Sequence, residues 1–131
     1  MAHYTETIAL AALASFGLGA LTVQGLHAQA KPPVYQIVEN EVLDLDAFSK
    51  DFLPKIQAAV RASGGRILAA GSGQQITALD GEPPKSRWVL LQWESMEQLQ
   101  AERSSAAFQE ARKIGERSVK IRSFAIEGLP D

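Results

Sequence analysis

The sequence contains no cysteine, and both of its histidines, His3 and His27, fall within the first thirty of its 131 residues. No disulfide, thiolate nucleophile or cysteine-ligated metal can therefore form. Once residues 1–30 are set aside the chain also lacks imidazole. That excludes a Cys/His zinc site, a His-ligated haem and a Ser-His-Asp triad, and no cofactor is expected. Any metal would need carboxylates alone, a donor set that suits hard cations, and none is expected here. Charge of one sign is lacking too. Residues 31–131 carry thirteen basic and fourteen acidic side chains, a net charge of −1. No basic patch points to nucleic acid or to a polybasic membrane contact. Internal repeats and low-complexity tracts are absent. Gly71-Ser72-Gly73 is not followed by a helix, so it does not read as a phosphate loop.

What is present begins with a targeting pattern. Ile8 to Val23 is almost wholly apolar and rich in Ala and Leu, and Ala28-Gln29-Ala30 fits small-x-small cleavage. Met1 to Thr7 has no Lys or Arg, so an uncleaved anchor helix is the rival reading. The apolar run is short for a membrane span of about 20 residues. The expectation is a signal segment over 1–30, cleaved after Ala30, and a single domain over 31–131. The protein would then be periplasmic or secreted, with no stable membrane contact after cleavage. About 100 residues suffice to build a core without staples.

Gly64-Gly65 organises the remainder. Adjacent glycines suit a helix end, because one can take the left-handed cap conformation. Before them, Leu45, Phe48, Phe52, Ile56, Ala59 and Val60 recur at spacings of three and four, with Asp44 as N-cap. Pro54 predicts a kink or restart within that helix. Val34 to Val42 reads as a first strand. Arg66 to Ala70 starts a second, which Gln74 to Leu79 would resume after a bulge or bend at Gly71-Ser72-Gly73. Arg87 to Trp93 is a third. Ser95-Met96-Glu97-Gln98 is a capping box opening a second helix, with Met96 and Leu99 inward. Ser104-Ser105 offers another N-cap, and Phe108 and Ala111 line the segment that ends near Gly115. Lys120 to Glu127 is the fourth strand.

This order predicts an α+β fold, the ferredoxin-like βαββαβ arrangement, with two helices on one face of a four-stranded antiparallel sheet. The third strand has apolar residues on both faces. Either Trp88 and Leu90, or Val89, Leu91 and Trp93, must lie on the face the helices do not cover. A homodimer through that face is the expected solution.

From Tyr35 to Leu129 the chain resembles domain-of-unknown-function family 1330. The resemblance rests on the order and spacing of Tyr35, Asp44, Phe48, Gly64-Gly65-Arg66, Gly71, Asp80-Gly81, Arg87, Ser105 and Glu127-Gly128-Leu129. It implies the dimeric α/β-barrel variant of the fold. The wider fold group resembles cofactor-free monooxygenases, isomerases and haem-degrading enzymes. The chain departs from the family pattern at Ala70, where an Arg is common, and at Gln92, where an acid is common. It departs again at Glu102, in place of a Trp, and at Phe108, in place of a Tyr.

Five residues are candidates for binding a ligand between sheet and helices: Tyr35, Glu39, Arg66, Asp80 and Gln92. Each also has a plainer reading, as strand surface, cap neighbour or turn residue. Two functions fit. One is a protein that binds a small organic molecule. The other is a metal-free enzyme, monooxygenase- or isomerase-like, in which Glu39, Asp80 or Tyr35 moves protons. A carboxylate converging on an apolar cavity separates the two.

Overall fold

The computed structural model describes residues 31–131; the expected signal segment over 1–30 lies outside them. Strand β1 (Val34–Val42) and β3 (Arg87–Trp93) form the centre of a four-stranded sheet, flanked by β2 (Arg66–Gly71) and β4 (Val119–Glu127). The order is β2-β3-β1-β4 and every neighbouring pair is antiparallel. Helices α1 (Leu53–Ala62), α2 (Met96–Ser104) and α3 (Ala106–Gly115) supply the second layer. This is the α+β arrangement that the order of elements implied. Among the described residues no helix is long and apolar enough to cross a membrane.

Local chemistry explains the helix ends. Asp44 accepts the Ala47 N–H at 3.1 Å and opens a single α-turn. A π-turn over Phe48–Phe52 follows, and α1 then starts with Pro54 in its first turn. Proline has no N–H to return to the preceding turn, so the chain widens before it and restarts after it. Ser95 accepts from the Gln98 N–H, but the Gln98 side chain turns back to the Glu94 N–H at 2.7 Å, one residue outside the expected box. A complete reciprocal box occurs instead at Ser72 and Gln75, around a 3₁₀ turn over Gly73–Gln75. That turn ends β2. Gln74 to Leu79 therefore does not resume the strand, and the register shift lies earlier, between Ile67 and Ala69.

Strand parity resolves which face meets the helices. Val34 pairs with Trp93 and Gln36 with Leu91, and all four are buried. Val89, Leu91 and Trp93 thus point toward the helices. The opposite face carries Tyr35, Ile37, Trp88, Leu90, Phe124 and Ile126, with Phe124 46% and Ile126 56% exposed. Among the described residues the interior includes two buried apolar clusters. One joins Val34, Val60, Leu91, Trp93 and Leu99; the other joins Phe48, Phe52 and Val119.

Trp93 is the largest fully buried side chain, and its indole N–H donates to the Gln36 Oε1 at 3.0 Å. Its burial contributes roughly 4–6 kcal/mol as an upper bound. The ring lies against the glycine pair. Gly64 has φ +87°, the left-handed cap conformation, while a Cβ on Gly65 would stand 2.7 Å from the Trp93 ring and 2.8 Å from Val60. Neither neighbour is the free end of a flexible chain. Gly65→Ala is expected to destabilise the fold by about 1–3 kcal/mol, as overpacking does. Urea titration followed by tryptophan fluorescence reads this; an unchanged midpoint would show that the notch can widen at no cost.

Candidate functional site

The two core clusters do not meet completely. Between them, under the helices and over the sheet, lies a cavity of about 100 Å³. Val38 from β1 and Val89 and Leu91 from β3 form its floor. Phe52, Ile56 and Val60 rise from the first helical run at spacings of four, so one helix face presents all three. Phe108 and Arg112 close it from α3, again four residues apart. A second, more polar recess of about 340 Å³ shares Arg103, Phe108, Arg112 and Ile121 with the cavity.

Into this apolar space α2 delivers a carboxylic acid. Met96, Leu99 and Glu102 follow one another at spacings of three, and Leu99 and Glu102 are both buried. Glu102 is 2% exposed, and its Oε2 has no hydrogen-bond partner among the described residues. Burial pushes its pKa up to about 7, with the Arg103 guanidinium pulling the other way. Across the cavity the buried Asn40 also has an unpartnered Oδ1. That amide oxygen can only accept, so a protonated carboxyl or a ligand donor would satisfy it.

Three guanidinium groups border the same space: Arg87 on β3, Arg103 on α2 and Arg112 on α3. Among the described residues the ion pairs are Lys50–Asp46, Lys55–Glu110 and Arg122–Glu39, so none of the three is within ion-pair distance of a carboxylate. They rest on aromatic faces instead. Arg103 and Arg112 stand 5.0 and 5.9 Å from the Phe108 centroid, and Arg87 stands 5.7 Å from that of Phe48. Desolvation lowers the Arg87 pKa, yet a guanidinium remains charged at any ordinary pH. Among the described residues no group of three acidic or histidine side chains is placed to hold a metal ion.

None of the five residues expected from the sequence lines this cavity. Tyr35 and Gln92 are cross-strand partners, and Arg66 is the partner of Gln92 on the other side. All three, with Glu39, belong to the sheet face turned away from the helices. Glu39 sits opposite Arg122 on β4 and accepts from it at 3.2 Å. Asp80 stands apart, exposed in the loop between β2 and β3. Residue parity along β1 is what separates Tyr35 and Glu39 from Gln36, Val38 and Asn40. Sequence reasoning passed over Glu102, although an acid three residues beyond Leu99 on an inward stripe was a readable signal.

The buried acid has a consequence for stability. Its folded pKa lies above the ordinary carboxylate value, so between about pH 4.5 and 7 the folded state holds a proton that the unfolded state has lost. Stability then falls as pH rises through that window and levels off above it. The penalty at pH 8 is on the order of 2–3 kcal/mol. Glu102→Gln is expected to melt at a higher temperature than the parent at pH 8 and at nearly the same temperature at pH 5. Equal melting temperatures at both values would mean that Glu102 ionises without cost.

A fold of this shape occurs elsewhere. A protein of unknown function from Rhodopseudomonas palustris superposes with a TM-score of 0.62 at 11% identity, over 84% of this chain and 92% of that one. A candidate antibiotic biosynthesis monooxygenase from Nitrosomonas europaea gives 0.54 at 12% identity, over 76% and 92% of the two chains. SnoaB, a cofactor-independent oxygenase from Streptomyces nogalater, gives 0.55 at 10% identity, over 75% and 94%. At these identities the likeness is one of fold. No curated protein sequence matches the chain. The family described as "Domain of unknown function (DUF1330)" does match, over residues 33–129, and covers nearly all of the described structure. The chain belongs to the DUF1330 family.

Proposed function

We propose that this protein binds a small organic molecule in the cavity between sheet and helices, and that it does so as an exported homodimer. The observation that carries the binding reading is Glu102, buried in an apolar cavity with one carboxyl oxygen unpartnered among the described residues. An orphaned buried acceptor costs about 1–3 kcal/mol, a cost that a ligand's hydrogen bond would remove. The pairing reading rests on the other sheet face. Ile37, Trp88, Leu90, Phe124 and Ile126 lie there, with Phe124 and Ile126 about half exposed. A second copy of the same face would cover these groups by two-fold symmetry. Export rests on the Ile8 to Val23 run and on Ala28-Gln29-Ala30.

A second reading is favoured by the same carboxyl. A group titrating near pH 7 is well matched to proton transfer at neutral pH. Glu102 would then act as general acid or base in a metal-free enzyme, and the SnoaB-like fold is compatible with that class. Tyr35 and Glu39 lie on the opposite sheet face and take no part in such a step.

Native mass spectrometry of protein isolated from an envelope fraction tests binding and pairing together. Twice the mass of residues 31–131 is expected, with a small-molecule adduct that Glu102→Ala weakens. A monomer at micromolar concentration would overturn the pairing. The binding reading fails if there is no adduct and an extract of small molecules leaves the amide resonances of Val89 and Phe108 unmoved. N-terminal sequencing of the same material should begin at Lys31; an intact Met1 would refute cleavage.

A further inference from the structure

The cavity and the adjoining recess share one stretch of wall. Phe108 lines both, and so do the guanidinium groups of Arg103 and Arg112 that lie over its ring. The inner chamber is mainly aliphatic and aromatic, whereas the recess is bordered by Arg103, Arg112, Gln109 and Glu116. We infer that the ligand is an apolar molecule of about one ring, or a short branched chain, carrying one negative group. Its body would fill the inner chamber and its anion would lie against Arg103 and Arg112. This inference rests on the binding reading above and names the class of molecule bound.

Size comes first. A cavity of about 100 Å³ is somewhat smaller than the roughly 150 Å³ apolar cavities that admit benzene. A single ring fits only if part of it reaches toward the recess, and a fused-ring body does not fit without helix movement. Charge comes second. Arginines held over an aromatic face keep their in-plane N–H donors unused by that contact. Two such groups around one ring, neither in an ion pair among the described residues, leave donors free for a carboxylate or an enolate. Arg87 is less suited, because it lies over Phe48, which does not border the cavity.

The remaining polar groups fit the same ligand. Glu102 shares the cavity lining with Arg103 on its own helix, Arg112 on α3 and Arg87 on β3, and Gln36, Asn40, Gln57 and Ser123 complete the polar lining. Protonated, it can donate a hydrogen bond to an anion. Ionised, it repels the anion and competes for the two arginines. Glu116 borders only the recess and is exposed to solvent. The site should therefore take up a proton when it takes up an anion, so affinity rises as pH falls from 8 to 6. The full effect is up to about tenfold, because one proton is linked to binding across a pKa near 7.

Benzoate and its neutral analogue benzamide are suitable probes, titrated against residues 31–131 by calorimetry and by amide resonance shifts. Benzoate should bind at least about tenfold more tightly than benzamide, the difference expected when a charge-assisted contact replaces a neutral one. Arg103→Gln and Arg112→Gln should each remove most of that preference, with melting temperatures confirming that the variants fold. Glu102→Gln should abolish the pH dependence of benzoate affinity. Equal affinity for the two probes overturns the inference about charge and leaves cavity binding intact. Binding of neither at millimolar concentration overturns the inference altogether, and the mass-spectrometric adduct alone then decides the binding reading. A pH dependence that persists in Glu102→Gln overturns the assignment of the proton to Glu102.

Discussion

Trp93 joins three elements through one ring. It belongs to β3, hydrogen-bonds to Gln36 on β1, and rests against the notch that Gly65 leaves after α1. This contact sets how closely α1 approaches the sheet at that end. At the other end the π-turn over Phe48–Phe52 brings Phe48 and Phe52 onto Val119, with ring centroids 5.6 Å apart. The helix is thus held at both ends by large rings, while its middle, around Ile56, spans the gap between them. Protein interiors rarely leave such gaps, since each unfilled volume forfeits dispersion contacts on every wall. Here the gap lies where the two clusters fail to meet beneath the helix that joins them.

Much of this was legible in the chain. Asp44, Ser95 and Ser105 read correctly as helix N-caps, because short polar side chains beside a 3.6-residue apolar stripe have few other uses. The bounds of β1 and β3 were readable from strand-forming residues between turn signals. Gln74 to Leu79 was misread because its composition permits a strand, while the Ser72–Gln75 capping box that prevents one depends on a geometry that propensity does not carry. Parity was the deeper difficulty. A strand with apolar residues on both sides does not declare which side meets the helices. Placing Tyr35 and Glu39 requires the pairing of Val34 with Trp93, a contact across nearly sixty residues of sequence.

The candidate site shows the same limit from the other side. Tyr35, Glu39, Arg66 and Gln92 were picked because polar residues on central strands often line pockets, and the structure gathers them on one sheet face, away from the cavity. Glu102 was noted only as a departure from the family resemblance, in place of a Trp. An acid in an amphipathic helix normally marks the wet side, so its position on the inward stripe was easy to pass over. The stripe is nonetheless explicit once Met96 and Leu99 are counted in threes.

Glu102 bears on what the cavity can hold. Its carboxyl brings a group that the surroundings do not satisfy, and its burial is unfavourable through desolvation. The Arg103 guanidinium offsets part of that cost only when the acid is ionised, and burial favours the neutral form. The two influences oppose each other, which holds Glu102 near the middle of its titration at neutral pH rather than far to one side. A carboxyl so balanced responds strongly to what enters the cavity. An anion drives it neutral, and a hydrogen-bond donor draws it toward the charged form. The residue that destabilises the fold is thereby the one through which a ligand would be sensed.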